Sequence, residues 1–413
     1  MANDTPARTF VIVGASLAGA TAATSLREEG FDGRIVLVGE EDERPYERPP
    51  LSKSYLQGES EREKIYVHPL DWYAAHDVDL RLGTRVTRID PATHRLTLAD
   101  GPQLAYDKLL LATGSSPRRL PVPGADLDGV LYLRTVGDSE RIKGTLGSAS
   151  RLVVIGAGWI GLEVTAAARL AGVEVTVVET LELPLLRVLG REVAEIFAAL
   201  HRDHGVDLRL GAQVQEITGR DGRVADVQLA DGGHVDAEAV VVGVGITPNT
   251  ELADAAGLRV DDGIVVDDHL RSSDADIYAA GDVASAFHPL FGRHIRVEHW
   301  ANALNQPRTA AKAMIGGDAV YDRVPYFFTD QYDLGMEYSG YVEPGGYDEV
   351  AFRGDRDGGE FIAFWLADGR ALAGMNVNVW DVTDDIQALV RSGHPVDKGR
   401  LVDPDVPLAD LAR

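Results

Sequence analysis

The chain has 413 residues, enough for about two to four domains, and its 45% hydrophobic and 25% charged residues are typical of a globular protein. With 40 Lys and Arg against 65 Asp and Glu, its formal net charge of -25 disfavours nucleic acid and anionic membranes as partners of the whole protein. The chain has no cysteine, which excludes disulfides, thiolate metal sites and cysteine-based redox chemistry. The first ten residues contain no apolar signal segment, and no apolar stretch reaches the roughly 18 residues of a transmembrane helix. We therefore expect a cytoplasmic protein.

Two segments repeat one pattern: an apolar strand, a glycine turn, an Ala-rich helix and a second strand that ends near an acidic residue. The first segment begins at Phe10 and ends at Glu40, and the second begins at Leu152 and ends at Glu179. This pattern is typical of dinucleotide-binding units. The sequence therefore predicts an α/β protein with two Rossmann-like domains.

The first glycine turn contains Gly14 and Gly19, with Ser16 in the middle position of the G-x-G-x-x-G pattern. Gly14 allows a tight turn, and Gly19 lets the helix pack closely on its strand. The free N–H groups at the start of the helix suit a pyrophosphate. Glu40 is placed to accept hydrogen bonds from ribose hydroxyls.

The second turn, with Gly156, Gly158 and Gly161, is a complete G-x-G-x-x-G. A carboxylate at Glu179 favours a free 2′-hydroxyl and repels a 2′-phosphate, and the nearest cation is Arg187. We therefore expect NADH rather than NADPH as the reductant. Two dinucleotide sites in one chain suggest a flavin that stays bound and a nicotinamide that exchanges.

The remaining chain divides into strand-rich segments and a distinct C-terminal part. Further strands are predicted at 85–89, 95–98, 109–114, 224–229 and 240–245. From about Tyr321, predicted strands at 361–366 and 372–379 flank a hairpin turn at Asp368 and Gly369. A helix is predicted at about 382–391, with Asp381 or Thr383 as its cap. The predicted domains are 6–116 with 246–320 for FAD, 117–245 for NAD, and 321–413 as an α+β domain.

Five segments carry a family resemblance. Residues 106–114 read Y-D-K-L-L-L-A-T-G and residues 276–283 read D-I-Y-A-A-G-D-V, which resemble FAD fingerprints of two-dinucleotide flavoprotein reductases. Residues 43–53, E-R-P-Y-E-R-P-P-L-S-K, resemble the ferredoxin reductases of cytochrome P450 and aromatic-ring dioxygenase systems. V-E-H-W-A-N-A-L-N-Q at 297–306 and P-Y-F-F-T-D-Q-Y at 325–332 extend this resemblance over nearly the whole chain. It implies a glutathione-reductase-like FAD/NAD fold with a C-terminal α+β domain.

The resemblance also implies roles for individual residues. Those expected at FAD are Gly14, Ala15, Ser16, Gly19, Glu40, Arg48, Lys53, Val86, Thr113, Gly114, Arg134, Gly281, Asp282 and Trp300. Those expected at NAD are Gly156, Gly158, Ile160, Gly161, Glu163, Glu179 and Gly245. Lys53, Glu163 and Trp300 are expected as catalytic residues, with Lys53 and Glu163 forming an ion pair beside the flavin. The histidines show no metal-site spacing, and no metal is expected.

The electron acceptor follows from the missing cysteine and from the resemblance. Disulfide reductases of this architecture pass electrons to a cysteine pair, which this chain lacks. The resemblance implies a [2Fe–2S] ferredoxin that serves a cytochrome P450 or a ring-hydroxylating dioxygenase. Arg308 and Lys312 are expected to dock this acidic partner, and the alternative for them is an ordinary solvated helix face. Where relatives carry tryptophans, this chain has Tyr326 and Phe328.

Two other functions stay open from the sequence. One is a flavoprotein that reduces a quinone, monodehydroascorbate or dioxygen directly. The other is a redox-gated interaction protein similar to the apoptosis-inducing-factor group. The sequence is compatible with a monomer or a homodimer.

Overall fold

The computed structural model describes residues 8–99 and 101–412. The predictions for the first seven residues, and the domain limits at 6 and 413, lie outside the described residues. Contacts divide the chain into two compact units, which are described separately. Unit 1 takes the described residues of Met1–Arg48, Arg62–Ser116 and Thr247–Pro325. Unit 2 takes those of Pro49–Glu61, Pro117–Ile246 and Tyr326–Arg413.

The strands and helices of the described residues are numbered in chain order. The strands are β1 Thr9–Val13, β2 Arg34–Val38, β3 Val78–Arg81, β4 Val86–Asp90, β5 Arg95–Leu98, β6 Gln103–Ala105, β7 Lys108–Leu111, β8 Ser115–Pro117, β9 Val130–Tyr132, β10 Arg151–Ile155, β11 Glu174–Glu179, β12 Asp207–Leu210, β13 Val214–Arg220, β14 Arg223–Leu229, β15 His234–Asp236, β16 Ala239–Val242, β17 Ile246–Pro248, β18 Ile264–Val266, β19 Ile277–Ala279, β20 Ala284–His288, β21 Arg293–Arg296, β22 Tyr326–Gln331, β23 Leu334–Gly340, β24 Glu349–Asp355, β25 Glu360–Ala367 and β26 Arg370–Val377. The α-helices are α1 Leu17–Glu28, α2 Ser54–Gln57, α3 Leu70–Ala75, α4 Val136–Leu146, α5 Trp159–Leu170, α6 Leu186–Leu189, α7 Arg191–Asp203, α8 Glu251–Ala255, α9 Trp300–Met314, α10 Thr383–Ser392 and α11 Lys398–Val402.

Unit 1 is built on a parallel sheet with the strand order β19-β7-β1-β2-β3. The central strands β1 and β2 read TFVIV and RIVLV, and four of the five residues in each are buried. Continuous apolar runs of this kind form when both faces of a parallel sheet are covered. The Ala-rich helix α1 packs against α9, and small side chains on α1 permit that close approach. Two three-stranded sheets, β4-β5-β6 and β18-β20-β21, complete the unit.

Unit 2 contains a parallel sheet that also has five strands, and two antiparallel sheets. The parallel sheet has the order β12-β11-β10-β16-β9. Strands β13, β14 and β15, which lie between β12 and β16 in the chain, form a small antiparallel sheet. The C-terminal sheet is antiparallel, in the order β22-β23-β26-β25-β24, and α10 packs on β23 and β26. Leu162 of α5, Phe197 of α7, and Phe327 and Trp365 of the C-terminal sheet belong to one hydrophobic core. The parallel sheet and the C-terminal sheet of unit 2 are therefore joined by shared apolar packing.

The predicted fold class is confirmed: each unit contains a Rossmann-like parallel sheet, and the C-terminal residues form an antiparallel sheet with helices. The hairpin turn between β25 and β26 is also present, with left-handed φ values of 50° at Asp368 and 72° at Gly369. The predicted domain limits remain predictions. The segment Pro49–Glu61, which they assign to the FAD domain, is part of unit 2.

The predicted cap of α10 was wrong. Val382 occupies the N-cap position and makes no side-chain cap bond. Thr383 instead donates its hydroxyl to Glu337 Oε2 at 2.8 Å, and Asp381 takes a left-handed φ of 61°. Neither residue therefore caps α10, because Thr383 bonds to Glu337 and Asp381 has a left-handed backbone. Over the described ranges, no helix is long and apolar enough to cross a membrane.

Candidate dinucleotide sites

The first glycine turn joins β1 to α1 and needs glycine at both predicted positions. Gly14 has a left-handed φ of 116°, and a Cβ there would clash with the carbonyl oxygen of Ala112 at the end of β7. A Cβ on Gly19 would clash with the carbonyl oxygen of Gly14. The first glycine thus allows the strand-to-turn geometry, and the second allows the helix to approach the turn.

The N-terminus of α1 has the donor set that a pyrophosphate requires. Ser16 is the N-cap residue and makes no side-chain cap bond, and the first turn of this fully described helix carries no acidic residue. The contrast is α4, where Thr135 and Asp138 form a reciprocal capping box. The first N–H groups of α1 are therefore left for an anionic ligand, which fits the pyrophosphate of FAD.

The predicted FAD residue Asp282 is held by partners that the sequence did not single out. Ser115 donates its hydroxyl to Asp282 Oδ2 at 2.8 Å. The preceding Gly281 has a φ of 82° and donates its N–H to the side-chain oxygen of Gln306 at 2.9 Å, and Gln306 is only 2% exposed. These bonds orient a carboxylate that suits a row of ribityl hydroxyls. Gln306 ends the 297–306 motif, which was the available signal.

Thr113 and Gly114 are fixed by one asparagine. The Thr113 hydroxyl donates to the backbone oxygen of Asn249 at 2.8 Å, and Asn249 Nδ2 donates back to the Thr113 carbonyl at 2.8 Å. The Asn249 N–H donates to the Gly114 carbonyl at 2.9 Å. Asn249 is therefore a supporting residue of this turn that sequence reasoning missed.

The other predicted FAD residues of unit 1 lie in different environments. Arg48 contacts Glu41 Oε1 at 3.0 Å and the Tyr46 hydroxyl at 3.2 Å. Glu40 is exposed and lies 3.4 Å from Arg85. Val86 is buried at the start of β4, Ala15 is half-buried, and Trp300 is the first residue of α9. Burial lowers the pKa of His299, the N-cap of that helix, to about 4, so its imidazole is neutral at physiological pH.

The second glycine turn joins β10 to α5 in unit 2. Gly156 has a φ of 100°, and a Cβ there would clash with the carbonyl oxygen of Gly243 after β16. A Cβ on Gly161 would clash with the Gly156 carbonyl, whereas a Cβ on Gly158 would meet no atom within 4 Å. Gly158 is the N-cap of α5, and Ile160 in the first turn is 44% exposed. The start of α5 thus combines free N–H groups with open space for a phosphate.

Glu179 is the last residue of β11 and is fixed by backbone donors. Its Oε2 accepts from the Ala157 N–H at 2.8 Å, and its Oε1 accepts from the Leu181 N–H at 2.9 Å. A carboxylate has about four lone-pair sites, so it can still accept from ribose hydroxyls. Gly245, with a φ of 98°, follows β16. The predicted NAD residues therefore come from the same edge of one parallel sheet, where the carboxyl ends of β10, β11 and β16 meet.

The structure contains the predicted ion pair of Lys53 and Glu163. Lys53 Nζ lies 2.6 Å from Glu163 Oε1, and their side chains are 13% and 3% exposed. Two hydroxyls also donate to this carboxylate, Ser52 at 2.5 Å and Thr329 at 2.6 Å. The Lys53 ammonium lies 5.4 Å from the ring centre of Phe328. Ser52 and Thr329 are further polar residues that the sequence reasoning missed.

Three predicted residues remain. Arg134 precedes the N-cap Thr135 and donates its backbone N–H to Asp138 at 3.1 Å. Arg308 and Lys312 are exposed and one helical turn apart on α9, and Lys312 forms an ion pair with Glu29 at 3.2 Å. Their roles in binding FAD or a partner stay predictions.

Comparisons with known proteins identify the family. Residues 8–307 match the model for pyridine nucleotide-disulphide oxidoreductases, and residues 326–412 match the reductase C-terminal model. The chain is 44% identical over 371 residues to rhodocoxin reductase from Rhodococcus erythropolis, covering 89% of this chain and 86% of the relative. It is 40% identical over 406 residues to putidaredoxin reductase from Pseudomonas putida, covering 97% and 96%.

A solved structure gives the same result. The crystal structure of the covalent putidaredoxin reductase–putidaredoxin complex matches with a TM-score of 0.94 and 40% identity, covering 98% of both chains. The resemblance to ferredoxin reductases that the sequence motifs predicted is therefore confirmed. The chain belongs to the pyridine nucleotide-disulphide oxidoreductase family and is an FAD-dependent oxidoreductase that binds FAD and NAD(H).

Proposed function

We propose that the protein is an NADH-dependent FAD reductase that passes electrons one at a time to a [2Fe–2S] ferredoxin, which in turn serves a cytochrome P450 or a ring-hydroxylating dioxygenase. The observation that carries this proposal is the similarity to putidaredoxin reductase over 97% of the chain in sequence and 98% in structure. A reductase component of an anthranilate 1,2-dioxygenase system from Burkholderia cepacia is 41% identical over 97% of the chain. These relatives favour a ferredoxin acceptor over the direct reduction of a small molecule.

The residues of each unit fit one of the two cofactors. In unit 1, the Gly14–Gly19 turn and the start of α1 would hold the FAD pyrophosphate, and Asp282 would accept from the ribityl hydroxyls. In unit 2, the start of α5 would hold the NADH pyrophosphate, and Glu179 would accept from a ribose hydroxyl. Bound FAD accepts two electrons from NADH as a hydride and can release them singly.

No redox disulfide can lie on the electron path. None of the 413 residues is cysteine, although the family name includes disulphide reductases. Electrons must therefore leave the protein to an external acceptor. An iron–sulfur protein that takes one electron at a time matches this requirement.

The deciding experiment is NADH-driven cytochrome c reduction by the purified holoenzyme, with and without an added [2Fe–2S] ferredoxin. We expect the rate to rise about tenfold or more when ferredoxin is added. Fast NADH oxidation that stays independent of several ferredoxins would contradict the proposal and favour a small direct acceptor.

Lys53 tests the predicted catalytic role of the ion pair. We expect Lys53→Met to slow flavin reduction by NADH about tenfold, because the ammonium that Glu163 holds is removed. Lys143→Met is the matched control, since it removes an exposed ammonium of unit 2 that donates to the backbone oxygen of Tyr55 at 3.3 Å and lies 5.4 Å from the centre of the Tyr55 ring. Equal flavin reduction rates in Lys53→Met and the wild type would refute the role.

Arg308 tests the proposed docking face. Arg308→Glu should raise the KM for ferredoxin at low salt by about three- to tenfold, while turnover with ferricyanide stays unchanged. Arg308 is a cleaner test than Lys312, because reversing Lys312 would also break its ion pair with Glu29. Arg88→Glu on β4 changes the same charge at another exposed position and serves as the control. Equal losses with both acceptors would show a structural effect only.

We further propose a cytoplasmic location, since NADH is supplied there by metabolism. Fractionation of cells that express the protein at native level tests this, and recovery in a membrane or exported fraction would contradict it.

A further inference from the structure

A buried chain of hydrogen bonds ends on Glu163. Thr329 donates to Glu163 Oε1 at 2.6 Å, and Gln331 Nε2 lies 3.3 Å from the Thr329 hydroxyl oxygen. His201 Nε2 lies 2.9 Å from Gln331 Oε1, and the Tyr332 hydroxyl lies 3.2 Å from His201 Nδ1. Thr329 is 1% exposed, and Gln331 and His201 are fully buried. Buried polar side chains are uncommon in an apolar core and are normally hydrogen-bonded, so a connected set of them indicates a specific role.

Three elements of unit 2 contribute residues to this chain of hydrogen bonds. Thr329 and Gln331 lie on the same face of β22 as the core residue Phe327, because alternate residues of a strand point to one side. Glu163 lies on α5, which packs against β22. His201 lies in the last turn of α7. The face of β22 that should be apolar therefore carries two polar groups, of which Thr329 bonds to the carboxylate and Gln331 bonds to Thr329.

Every bond in the chain has one direction when Glu163 is a carboxylate, because a carboxylate can only accept. The Thr329 hydroxyl must donate to it, so its oxygen accepts from the Gln331 amide N–H. The Gln331 oxygen then faces His201, whose Nε2 must carry a hydrogen. Burial lowers the pKa of His201 to about 4, so the ring is neutral and Nδ1 accepts from Tyr332. Burial raises the pKa of the Tyr332 phenol, which keeps its proton for this bond.

We propose that Thr329, Gln331 and His201 are positioning residues that form a one-directional hydrogen-bond chain, which holds the Glu163 carboxylate and thereby fixes the Lys53 ammonium for flavin reduction. Aligned hydrogen bonds polarise one another, so each donor strengthens the next bond toward the carboxylate. This inference rests on the proposed function, since it assigns to the hydrogen-bond chain a role in the reaction with NADH.

Other charged groups lie around the Lys53–Glu163 ion pair. Asp330 is exposed and interacts electrostatically with both Lys53 and Glu163, and Glu337 interacts with Asp330. At the Tyr332 end of the hydrogen-bond chain, the Tyr332 ring stacks on the His204 ring, with 3.6 Å between the two ring centres. The Glu163 carboxylate itself accepts hydrogen bonds from Ser52, Lys53 and Thr329.

The first test compares Thr329→Val with Thr329→Ser. Valine keeps the side-chain volume and removes the donor, whereas serine keeps the donor. We expect valine to lower the limiting rate of flavin reduction by NADH about tenfold, because a hydrogen bond to a charged group is lost. Serine should restore the wild-type rate.

Two further variants separate positioning from general damage. Thr383→Val removes an equivalent hydroxyl–carboxylate bond, that of Thr383 to Glu337, and should leave the rate unchanged. In the Lys53→Met background, Thr329→Val should cause no additional loss, because its effect passes through the ion pair. A wild-type rate in Thr329→Val would overturn the proposal, as would an equal fractional loss in both backgrounds.

The second test needs no NADH, and a variant serves only to assign the signal. Nitrogen-15 NMR of histidine-labelled wild-type holoenzyme should show His201 neutral, with its hydrogen on Nε2, from about pH 5.5 to 8. The absence of this signal in His201→Gln assigns it. A hydrogen on Nδ1, or protonation near pH 6.5, would overturn the directional chain. Failure of NADH to reduce wild-type flavin would instead overturn the proposed function and leave the NMR result standing.

Discussion

The two glycine turns meet the same steric constraint and differ in the space around their middle residue. In both, the first glycine has a left-handed φ and lies against the carbonyl that follows a neighbouring strand, that of Ala112 for Gly14 and that of Gly243 for Gly156. In both, the last glycine of the motif lets the helix approach the turn. The middle position differs: a half-buried serine in the first turn and an exposed glycine in the second.

The acidic residues differ in the opposite sense. Glu40 is exposed beyond the end of β2, whereas Glu179 ends β11 with both oxygens held by backbone N–H groups. The first turn is packed against its own unit, since a Cβ on Gly39 would lie 2.5 Å from the Cβ of Ala15 in the turn. The second has open space at Gly158 and an exposed Ile160. The packed turn suits a cofactor that stays, and the open, rigid turn suits a nucleotide that binds and leaves.

The largest expected effect comes from adding a methyl group to the first glycine of each turn. Gly14→Ala should lower FAD affinity by up to about a hundredfold and give colourless protein, because left-handed strain adds to the clash with Ala112. Gly156→Ala should keep its flavin and raise the KM for NADH by a comparable factor. The ratio of flavin to protein absorbance and the NADH kinetics measure the two outcomes.

Two glycines at the ends of the same helices provide matched controls. Gly30 after α1 and Gly172 after α5 also have left-handed φ values, but a Cβ on either would meet no atom within 4 Å. Alanine at these positions should cost only stability. Loss of flavin in Gly156→Ala, or a yellow Gly14→Ala protein with a raised KM for NADH, would reverse the assignment of the two sites.

The acidic residues provide the next comparison. Glu179→Ala should raise the preference for NADPH over NADH by about tenfold to a hundredfold, because an acceptor for the 2′-hydroxyl and a repulsion of the 2′-phosphate are both removed. Glu40→Ala should leave that preference unchanged and weaken FAD binding. The ratio of kcat/KM for NADPH to that for NADH measures this preference in each variant. A wild-type preference for NADPH would contradict the prediction that NADH is the reductant. Glu179→Gln keeps one acceptor for the backbone donors and separates the loss of charge from damage to the turn.

The sequence predicted the elements whose signals are local. Apolar runs such as TFVIV, glycine turns and an Asp-Gly pair are short-range features, and β5 has the predicted bounds Arg95–Leu98. The assignment of Pro49–Glu61 to unit 2 could not be read in this way, because it depends on contacts with residues far along the chain. Ser52, for example, bonds to Glu163, which lies 111 residues away.

The same limit applies to the supporting residues of the sites. Motif spacing located Gly14, Gly156 and Glu179, whose roles depend on the local backbone. Gln306 and Asn249 act through tertiary contacts and have no spacing signature. For Thr329 a signal existed, since alternation along Y-F-F-T-D-Q puts it on the apolar side of β22 with Phe327. A polar residue at such a position indicates a buried partner, which here is Glu163.

The smallest expected effect comes from exchanging the middle residues of the two turns. Gly158 has a φ of -81° that any residue can adopt, so Gly158→Ser should leave the melting temperature unchanged. Its side chain would occupy the space kept for the phosphate and raise the KM for NADH about three- to fivefold, which corresponds to roughly 1 kcal/mol or less. Ser16→Gly should keep its flavin, because Ser16 makes no cap bond, and should cost only about a few tenths of a kcal/mol in stability. If Gly158→Ser leaves the KM for NADH unchanged while Ser16→Gly releases flavin, the open and packed turns have been assigned the wrong way round.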